Sequence, residues 1–156
     1  MILNDVTLSR LKIQHEVIEI LILGLGENQL KSHPIPDKWS VHENIAHLTC
    51  YQIRVIDRTK KILEQTNPIF PAYIPEEDPE FPKFLAMTTD QLLTHLKEKR
   101  TEIVKLISNL TETELSRTGT HGKFGKMNLI EWTEFFLLHE AHHQHTIFKL
   151  VRIIKK

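Results

Sequence analysis

Residues 137–145 read LLHEAHHQH, so four of the ten histidines of the chain fall within one short stretch. At about 100° per residue on a helix, His139 and His143 lie on one stripe with apolar residues. The other members of that stripe are Leu129, Trp132, Phe136, Ile147, Leu150 and Ile154. A helix turns such a stripe toward the core, where an unpaired polar group costs about 1–3 kcal/mol. Imidazoles four residues apart have Cβ atoms roughly 5–6 Å apart, which suits two ligands of one metal ion.

The rest of the sequence predicts three further long helices. Apolar residues recur at helical spacing over residues 3–23, 40–65, 89–109 and 128–152, the last range containing the histidines. Residues 27–39 and 119–126 are expected to be loops. No convincing β-alternation is found. We therefore predict one all-α domain over residues 1–156, a four-helix bundle.

Residues 66–88 form a long connection between the second and third predicted helices. They contain five prolines, Pro68, Pro71, Pro75, Pro79 and Pro82. Proline disfavours regular helix, so none is expected in this segment. A connection of this length inside a compact domain often crosses the bundle or covers a site.

Composition disfavours several classes of function. Lysine plus arginine equals aspartate plus glutamate, 20 each, so there is no basic excess for binding nucleic acid. The single cysteine, Cys50, excludes an intrachain disulfide and fits a reducing compartment. The longest apolar stretch, residues 18–25, is too short to span a bilayer, and no signal peptide is recognised. We expect a cytoplasmic protein that acts on a small molecule rather than on nucleic acid or membrane.

Two known metal motifs fit the histidine stretch but lack their context. His139-Glu140-Ala141-His142-His143 matches His-Glu-x-x-His of zinc peptidases, yet no acidic residue follows His143 and no sheet edge is expected to align a peptide. Glu140 and His143 match Glu-x-x-His of di-iron bundles, which need a second copy on another helix. The first three predicted helices contain none. Both readings are disfavoured.

A mononuclear site needs a third ligand, and the second predicted helix offers His42 and His47. His47 is the better candidate because Asn44, Tyr51 and Arg54 surround it with polar groups suited to supporting a metal or substrate. His42 lies in the first helical turn and is expected to be exposed. A solvated polar face remains an alternative reading of His47.

Other residues near the motif have simpler alternatives. His139 and His143 also fit a pair of hydrogen-bonded core histidines. Glu140 is a candidate general base, although a surface glutamate fits as well. His142 is expected to flank the site or face solvent. Cys50, one turn from His47, is expected to be a small buried hydrophobe rather than a reactive thiol.

Two segments together resemble the DinB/YfiT-like family. In residues 37–48, DKWSVHENIAHL, a Trp-Ser pair opens the helix and a His-Leu pair follows seven residues after the serine. Residues 139–147, HEAHHQHTI, are similar to the family's His-Asp/Glu-x-x-His helix. The resemblance implies that His47, His139 and His143 hold one metal ion. The chain departs from the family at Thr146, where a glutamine is often found.

The resemblance also implies an architecture and a range of activities. It implies an up-down-down-up four-helix bundle, often a homodimer, with zinc or nickel as the divalent metal. Some relatives are thiol-dependent S-transferases that use bacillithiol, and others are mycothiol-dependent isomerases. Three histidines leave coordination positions open, as in catalytic sites.

From the motifs and the resemblance together, we expect a metal-dependent S-transferase or hydrolase acting on a small molecule, in stress response or detoxification. A low-molecular-weight thiol would be the cosubstrate of the transferase. Glu140 would act as the base, and Tyr51 and Arg54 would contact substrate. The alternative is a non-catalytic metal-binding or interaction module of the stress response.

Overall fold

The computed structural model describes residues 3–156 as a helical bundle. Its helices, in chain order, are α1 (Asp5–Ile13), α2 (Val17–Ile22), α3 (Glu27–Lys31), α4 (Val41–Glu64), α5 (Phe81–Leu85), α6 (Thr89–Ser108), α7 (Glu112–Leu115) and α8 (Leu129–Ile154). Three of the four bundle helices are α4, α6 and α8, and α1 with α2 forms the fourth. The predicted all-α four-helix bundle is confirmed. Across residues 3–156, no helix combines the length and the apolar character needed to cross a membrane.

Contacts between the helices establish the up-down-down-up topology. Hydrogen bonds join Thr49 to Leu92 and Gln52 to Arg100, so α4 and α6 run in the same direction. Asn44 of α4 reaches His143 and His47 reaches His139, so α4 and α8 are antiparallel. Two parallel neighbours need a connection that returns along the length of the bundle. Residues 65–88 make that return.

The helices α4 and α6 begin at capping boxes. The Ser40 hydroxyl accepts a hydrogen bond from the Glu43 amide at 3.1 Å, and the Glu43 carboxylate accepts one from the Ser40 amide. Thr88 and Gln91 make the same exchange at the start of α6. Each pair satisfies two amides that the first helical turn leaves without partners.

The first bundle helix is interrupted, whereas the sequence predicted one continuous helix over residues 3–23. A 3-10 turn at Gln14–Glu16 separates α1 from α2. The Gln14 carbonyl accepts a hydrogen bond from Gln144 Nε2 at 2.7 Å. A side chain that hydrogen-bonds to a backbone carbonyl in this way favours an interruption of the helical hydrogen-bond pattern. The predicted loop at residues 27–39 also contains a short helix, α3. At its start, the side-chain oxygen of Gln29 accepts a hydrogen bond from the Gly26 amide.

A small sheet corrects the expectation that the chain contains no strands. Its strands are β1 (Ile69–Phe70), β2 (Thr118–His121) and β3 (Gly125–Asn128), in that order, with β1 parallel and β3 antiparallel to β2. The expected loop at residues 119–126 is thus mainly a hairpin. Strands of two to four residues are too short to show an alternating pattern. At Gly119 a Cβ atom would lie 2.8 Å from Ile62 Cγ1, so close packing against α4 requires glycine there.

The connection between α4 and α6 is partly ordered into regular structure. It contains β1, a 3-10 turn at Pro75–Glu77 and the five-residue helix α5, although the prolines led us to expect no helix. Pro82 lies in the first turn of α5, where proline is tolerated because that amide needs no helical partner. Phe81 and Phe84 of α5 are buried against the core between α4 and α6.

Candidate metal centre

Three histidines converge between α4 and α8. His47 comes from α4, and His139 and His143 lie one turn apart on α8. One ring nitrogen from each residue lies within 4.8 Å of those of the other two. The Nε2 atoms of His47 and His139 are 3.0 Å apart. Two nitrogens bound to one zinc ion at about 2.0–2.1 Å lie roughly 2.9–3.4 Å from each other, so the arrangement fits a shared cation.

Asn44 fixes the orientation of the His143 ring. The Asn44 side-chain nitrogen donates to the Ser40 carbonyl at 2.8 Å, which directs Oδ1 the other way. Oδ1 then accepts from Nδ1 of His143, also at 2.8 Å. A proton on Nδ1 leaves the lone pair on Nε2, the atom available to a metal. Such a partner on the remote nitrogen is typical of metal-bound histidine.

Aromatic rings enclose the cluster. The Trp39 ring lies against two of the histidines, with its centroid 5.2 Å from that of His47 and 6.2 Å from that of His143. The Tyr51 ring packs on His139 with a centroid distance of 4.3 Å. These rings shield the imidazoles from water and lower the local dielectric constant.

The connection between α4 and α6 also reaches the site. Tyr73 lies 5.7 Å and Phe81 6.4 Å from the His47 ring, centroid to centroid. Nothing in the sequence indicated that either residue contacts a candidate ligand.

Burial keeps the three histidines neutral. It lowers the pKa of His47 to about 2, of His139 to about 3 and of His143 to about 4, and repulsion from neighbouring histidines adds to the effect. An imidazole must be unprotonated to bind a metal. At neutral pH the cluster therefore offers nitrogen lone pairs without first losing protons.

Two of the ring nitrogens have no hydrogen-bond partner. Among residues 3–156, the buried Nδ1 atoms of His47 and His139 are left unpaired. A buried donor or acceptor without a partner costs about 1–3 kcal/mol. A cation would bind on the other side of the rings, where the Nε2 atoms of His47 and His139 face each other without another polar partner, and its binding energy would outweigh this cost. The donor set, three neutral imidazoles, suits a divalent transition metal. The residues present therefore fit the metal that the motif implies.

A surface groove of about 800 Å³ opens beside the cluster. Trp39, Asn44 and His143 form its wall at the histidine end. In the part of the chain that the structure describes, no fourth histidine, cysteine or carboxylate joins the three. The cluster therefore offers three candidate protein ligands and access from outside, an arrangement typical of catalytic metal sites.

The comparisons with known proteins agree with this geometry. The sequence model of the DinB superfamily matches residues 10–147. The chain belongs to the DinB superfamily. Among solved structures, it is similar to YfiT from Bacillus subtilis, described as a probable metal-dependent hydrolase with an unusual four-helix bundle topology. That match has a TM-score of 0.81 and 19% identity, and covers 95% of this chain and 85% of YfiT. Comparison with curated proteins gives no significant match.

Other histidines of this DinB-superfamily chain are not among the three candidate ligands. His42 is buried, whereas the sequence suggested an exposed residue: its Nδ1 is 2.9 Å from the Thr89 hydroxyl and its Nε2 is 3.3 Å from the Leu85 carbonyl. These contacts tie the start of α4 to α6 and to the end of α5. His142 and His145 are exposed, and His142 lines the groove with its ring centroid 5.3 Å from that of His143. The reading of His47 as part of a solvated face is wrong, because only 3% of that residue is exposed.

Glu140 is buried in the centre of the bundle. Its Oε1 accepts from Gln14 Nε2 at 3.0 Å, and its Oε2 is ion-paired with the Arg100 guanidinium. The surface reading of Glu140 is therefore wrong. Both oxygens are engaged by α1 and α6, so the carboxylate links helices of the bundle. The suggested role as general base has no contact with the three histidines to support it.

Arg100 is the principal buried residue that the sequence reasoning missed. Its side chain is 1% exposed, and it also donates to Gln52 of α4 and to the Leu11 carbonyl of α1, each at 3.1 Å. The sequence held an indication: Arg100 lies between Leu96 and Ile103 at the helical spacing of the apolar stripe of α6. A cation on that stripe predicts a buried anion opposite.

Tyr51 and Arg54, the candidate substrate contacts, have other partners. The Tyr51 ring packs in the bundle and its hydroxyl accepts from Arg58 at 3.2 Å. Arg54 donates to both carboxylate oxygens of Asp78, at 2.8 and 3.1 Å. Neither residue lines the groove beside the histidines.

Cys50 is buried, as expected for a small core residue. Burial raises the pKa of its thiol to about 11, so it is protonated at neutral pH. Its sulfur lies 3.5 Å from the Tyr73 hydroxyl and 3.6 Å from Asp78 Oδ2. The thiol thus belongs to the contacts that hold the α4–α6 connection, and it lacks the thiolate character that a nucleophile needs.

Proposed function

We propose that the chain is a metal-dependent hydrolase of a small molecule, with His47, His139 and His143 as the ligands of one divalent cation, zinc or nickel. The observation that carries this proposal is the convergence of three neutral imidazoles, one buried and two partly buried, from two antiparallel helices beside an open groove. Core histidines with a purely structural role would instead pair with hydrogen-bonding groups, as His42 does with Thr89.

The access to the cluster favours catalysis over a structural metal. A structural zinc site is normally closed by four protein ligands. Here three ligands are available, and His143 also lines the groove. A substrate in that groove would lie beside the cation. This observation disfavours the alternative of a non-catalytic metal-binding module.

The chain's own residues have defined roles in this proposal. A bound divalent cation would supply Lewis acidity, which makes a water molecule a nucleophile near neutral pH. Asn44 holds His143 in the tautomer that presents Nε2. Trp39 and Tyr51 exclude bulk water and keep the imidazoles unprotonated. Glu140, paired with Arg100, is given no proton-transfer role and instead positions α8 relative to α1 and α6.

Hydrolysis is proposed ahead of thiol S-transfer. YfiT, which shares this fold, is described as a probable hydrolase. Within residues 3–156, we find no group that selects a thiol: the sole cysteine is buried and protonated. A transferase assay with a low-molecular-weight thiol is therefore a second arm of the test. The homodimer and the link to stress response remain predictions from the family resemblance.

Metal content and turnover in the same preparations test the proposal. Protein without a His tag is stripped with a chelator, reloaded with Zn²⁺ or Ni²⁺, and assayed on small esters and amides such as 4-nitrophenyl acetate. We expect one metal per chain, and hydrolysis that chelation abolishes and reloading restores. His139→Ala should lose metal and activity together. The matched control is His145→Ala, an exposed histidine on the same helix that does not line the groove, which should keep both.

Two results would overturn the proposal. One is wild-type protein that takes up no stoichiometric metal. The other is metal-loaded protein that turns over no ester or amide above the rate of its own His139→Ala variant. Turnover only in the presence of a thiol and an electrophile would replace hydrolysis by S-transfer at the same centre.

A further inference from the structure

The groove beside the histidines has an apolar lining. It runs from the segment before α4 along the last turns of α8. Three apolar side chains on its surface are partly exposed, Ile35 at 38%, Phe148 at 43% and Ile153 at 42%. With the Trp39 ring at the histidine end, they form a strip suited to the hydrocarbon or aromatic part of a ligand.

Basic residues concentrate on the same groove. Lys38, Lys149, Arg152 and Lys156 line it, against one acidic residue, Asp37. The chain as a whole is balanced, with 20 basic and 20 acidic residues, so this excess is local. Several lysines and arginines elsewhere are paired with acids, as Lys97 is with Glu19 and Lys99 with Glu102.

The four groove cations lack such partners. Within residues 3–156, none of the four lies in a salt bridge with a carboxylate. Arg152 instead has its guanidinium 5.8 Å from the centroid of the Phe148 ring. That contact holds the charge over the apolar strip. Unpaired cations along a concave apolar surface create a positive potential that attracts anions.

We propose that the groove binds an organic carboxylate: an apolar body lies on the strip, the carboxylate is held by Lys149 and Arg152, and the opposite end reaches His143. The placement of the reacting end of the ligand at His143 rests on the proposed hydrolase function. The placement of the carboxylate rests on the residues of the groove alone. It narrows the substrate class from small molecules in general to amphipathic acids.

Helix geometry sets the length of the ligand. Lys149 and Arg152 follow His143 by six and nine residues on α8. At 1.5 Å per residue these positions lie roughly 9–14 Å along the helix axis from the histidine. A ligand that contacts both ends therefore needs a chain of about that length. Acetate-sized acids are too short, whereas an aryl-alkyl acid spans the distance.

Calorimetry with a matched pair of probes tests the proposal. The probes are 6-phenylhexanoate and its neutral analogue 6-phenylhexanamide, each titrated into metal-free and Zn²⁺-loaded protein. We expect the acid to bind more tightly than the amide in both forms. In the double variant Lys149→Gln/Arg152→Gln, the preference for the acid should fall about fivefold, as expected for two exposed charges. The control Lys61→Gln/Lys105→Gln removes two exposed lysines outside the groove and should leave the preference unchanged.

The outcomes separate this proposal from the proposed function. Equal binding of acid and amide would overturn the groove assignment. The groove assignment would also be overturned if the preference for the acid survives in Lys149→Gln/Arg152→Gln but disappears in His139→Ala. The acid would then bind the metal, and the hydrolase proposal would stand. A third outcome combines a wild type that hydrolyses no ester or amide with a double variant, Lys149→Gln/Arg152→Gln, that has lost the preference for the acid. It would support the groove as a carboxylate site and refute the hydrolase proposal.

A second copy of the chain is the competing occupant of the apolar strip. Sedimentation of wild type and of Ile153→Glu distinguishes the two. A dimer that Ile153→Glu dissociates would assign the strip to self-association and overturn the ligand proposal. An assembly state unchanged by Ile153→Glu, with weaker binding of 6-phenylhexanoate, would support it.

Discussion

The Nε2 atoms of His47 and His139 lie 3.0 Å apart, although 92 residues separate them in the chain. The antiparallel packing of α4 and α8 produces this contact. The two rings present lone-pair positions to each other, and within residues 3–156 neither has a partner for its other nitrogen. The contact is thus poorly satisfied by protein groups alone. Metal binding should therefore have a measurable effect on folding stability.

We predict that metal raises the melting temperature of the wild type. A ligand at about 100 times its Kd stabilises the folded state by about 2.7 kcal/mol, which corresponds to roughly 5–10 °C for a chain of this size. Differential scanning fluorimetry with Zn²⁺ and with a chelator measures the shift. His47→Ala should show no difference between the two conditions, whereas His145→Ala, at an exposed position outside the groove, should keep the full shift. A wild type insensitive to both Zn²⁺ and Ni²⁺ would contradict the prediction.

Asn44 supports a second prediction, on metal affinity. It accepts from Nδ1 of His143 and is itself held by the Ser40 carbonyl, so it fixes a ligand without being one. Removing such a partner typically weakens metal binding by about 10–100-fold. We expect Asn44→Ala to show this loss in a competition titration against a chromogenic chelator. Asn109→Ala, at an exposed asparagine that contacts only its own helix, is the control. Unchanged affinity in Asn44→Ala would mean that the ring needs no support.

The sequence predicted the long helices and the meeting of three histidines better than the remaining structure. The long helices follow from apolar periodicity, which is a local property. His47 was preferred to His42 for its polar neighbours and for the family resemblance, and the structure brings His47 to the other two histidines. The burial of His42 was not predicted, because its contacts with Thr89 and Leu85 are tertiary.

The features that the sequence reasoning missed depend on tertiary contacts. The sheet consists of strands too short for periodicity, and its position depends on Gly119 packing against Ile62. The break between α1 and α2 involves Gln144, which is 130 residues from Gln14. The burial of Glu140 was not predicted, because a glutamate is buried only where a partner compensates its charge. Its partner Arg100 lies on another helix.

The buried ion pair of Arg100 and Glu140 leads to a third prediction, on stability. Removing one member leaves an uncompensated charge in the core, which costs about 3–5 kcal/mol. We expect a loss of this size in Arg100→Met, measured by urea unfolding of the metal-free protein. The double variant Arg100→Met/Glu140→Leu should lose less than the sum of the single changes, since no buried charge remains alone. Additive losses would show that the two residues act independently.

An exposed ion pair on the same helix provides the control for that experiment. Lys99 and Glu102 form a salt bridge at 3.0 Å with both side chains about two-fifths exposed. Pairs of this kind contribute about 0–1 kcal/mol because water screens them. Lys99→Met should therefore change the free energy of unfolding far less than Arg100→Met.

His15 supports the last prediction, on the pH dependence of stability in metal-free protein. Burial, with added repulsion from Arg100 and Lys97, lowers the pKa of His15 from 6.5 to about 4. Between these values the unfolded chain binds a proton that the folded chain does not, so stability falls as the pH drops from about 6.5 to 4. His15→Gln should reduce this slope by up to about 1.4 kcal/mol per pH unit, measured by urea unfolding at each pH. His145→Gln, at an exposed position, should leave the slope unchanged. A slope in His15→Gln equal to that of the wild type would show that His15 is protonated in the folded protein.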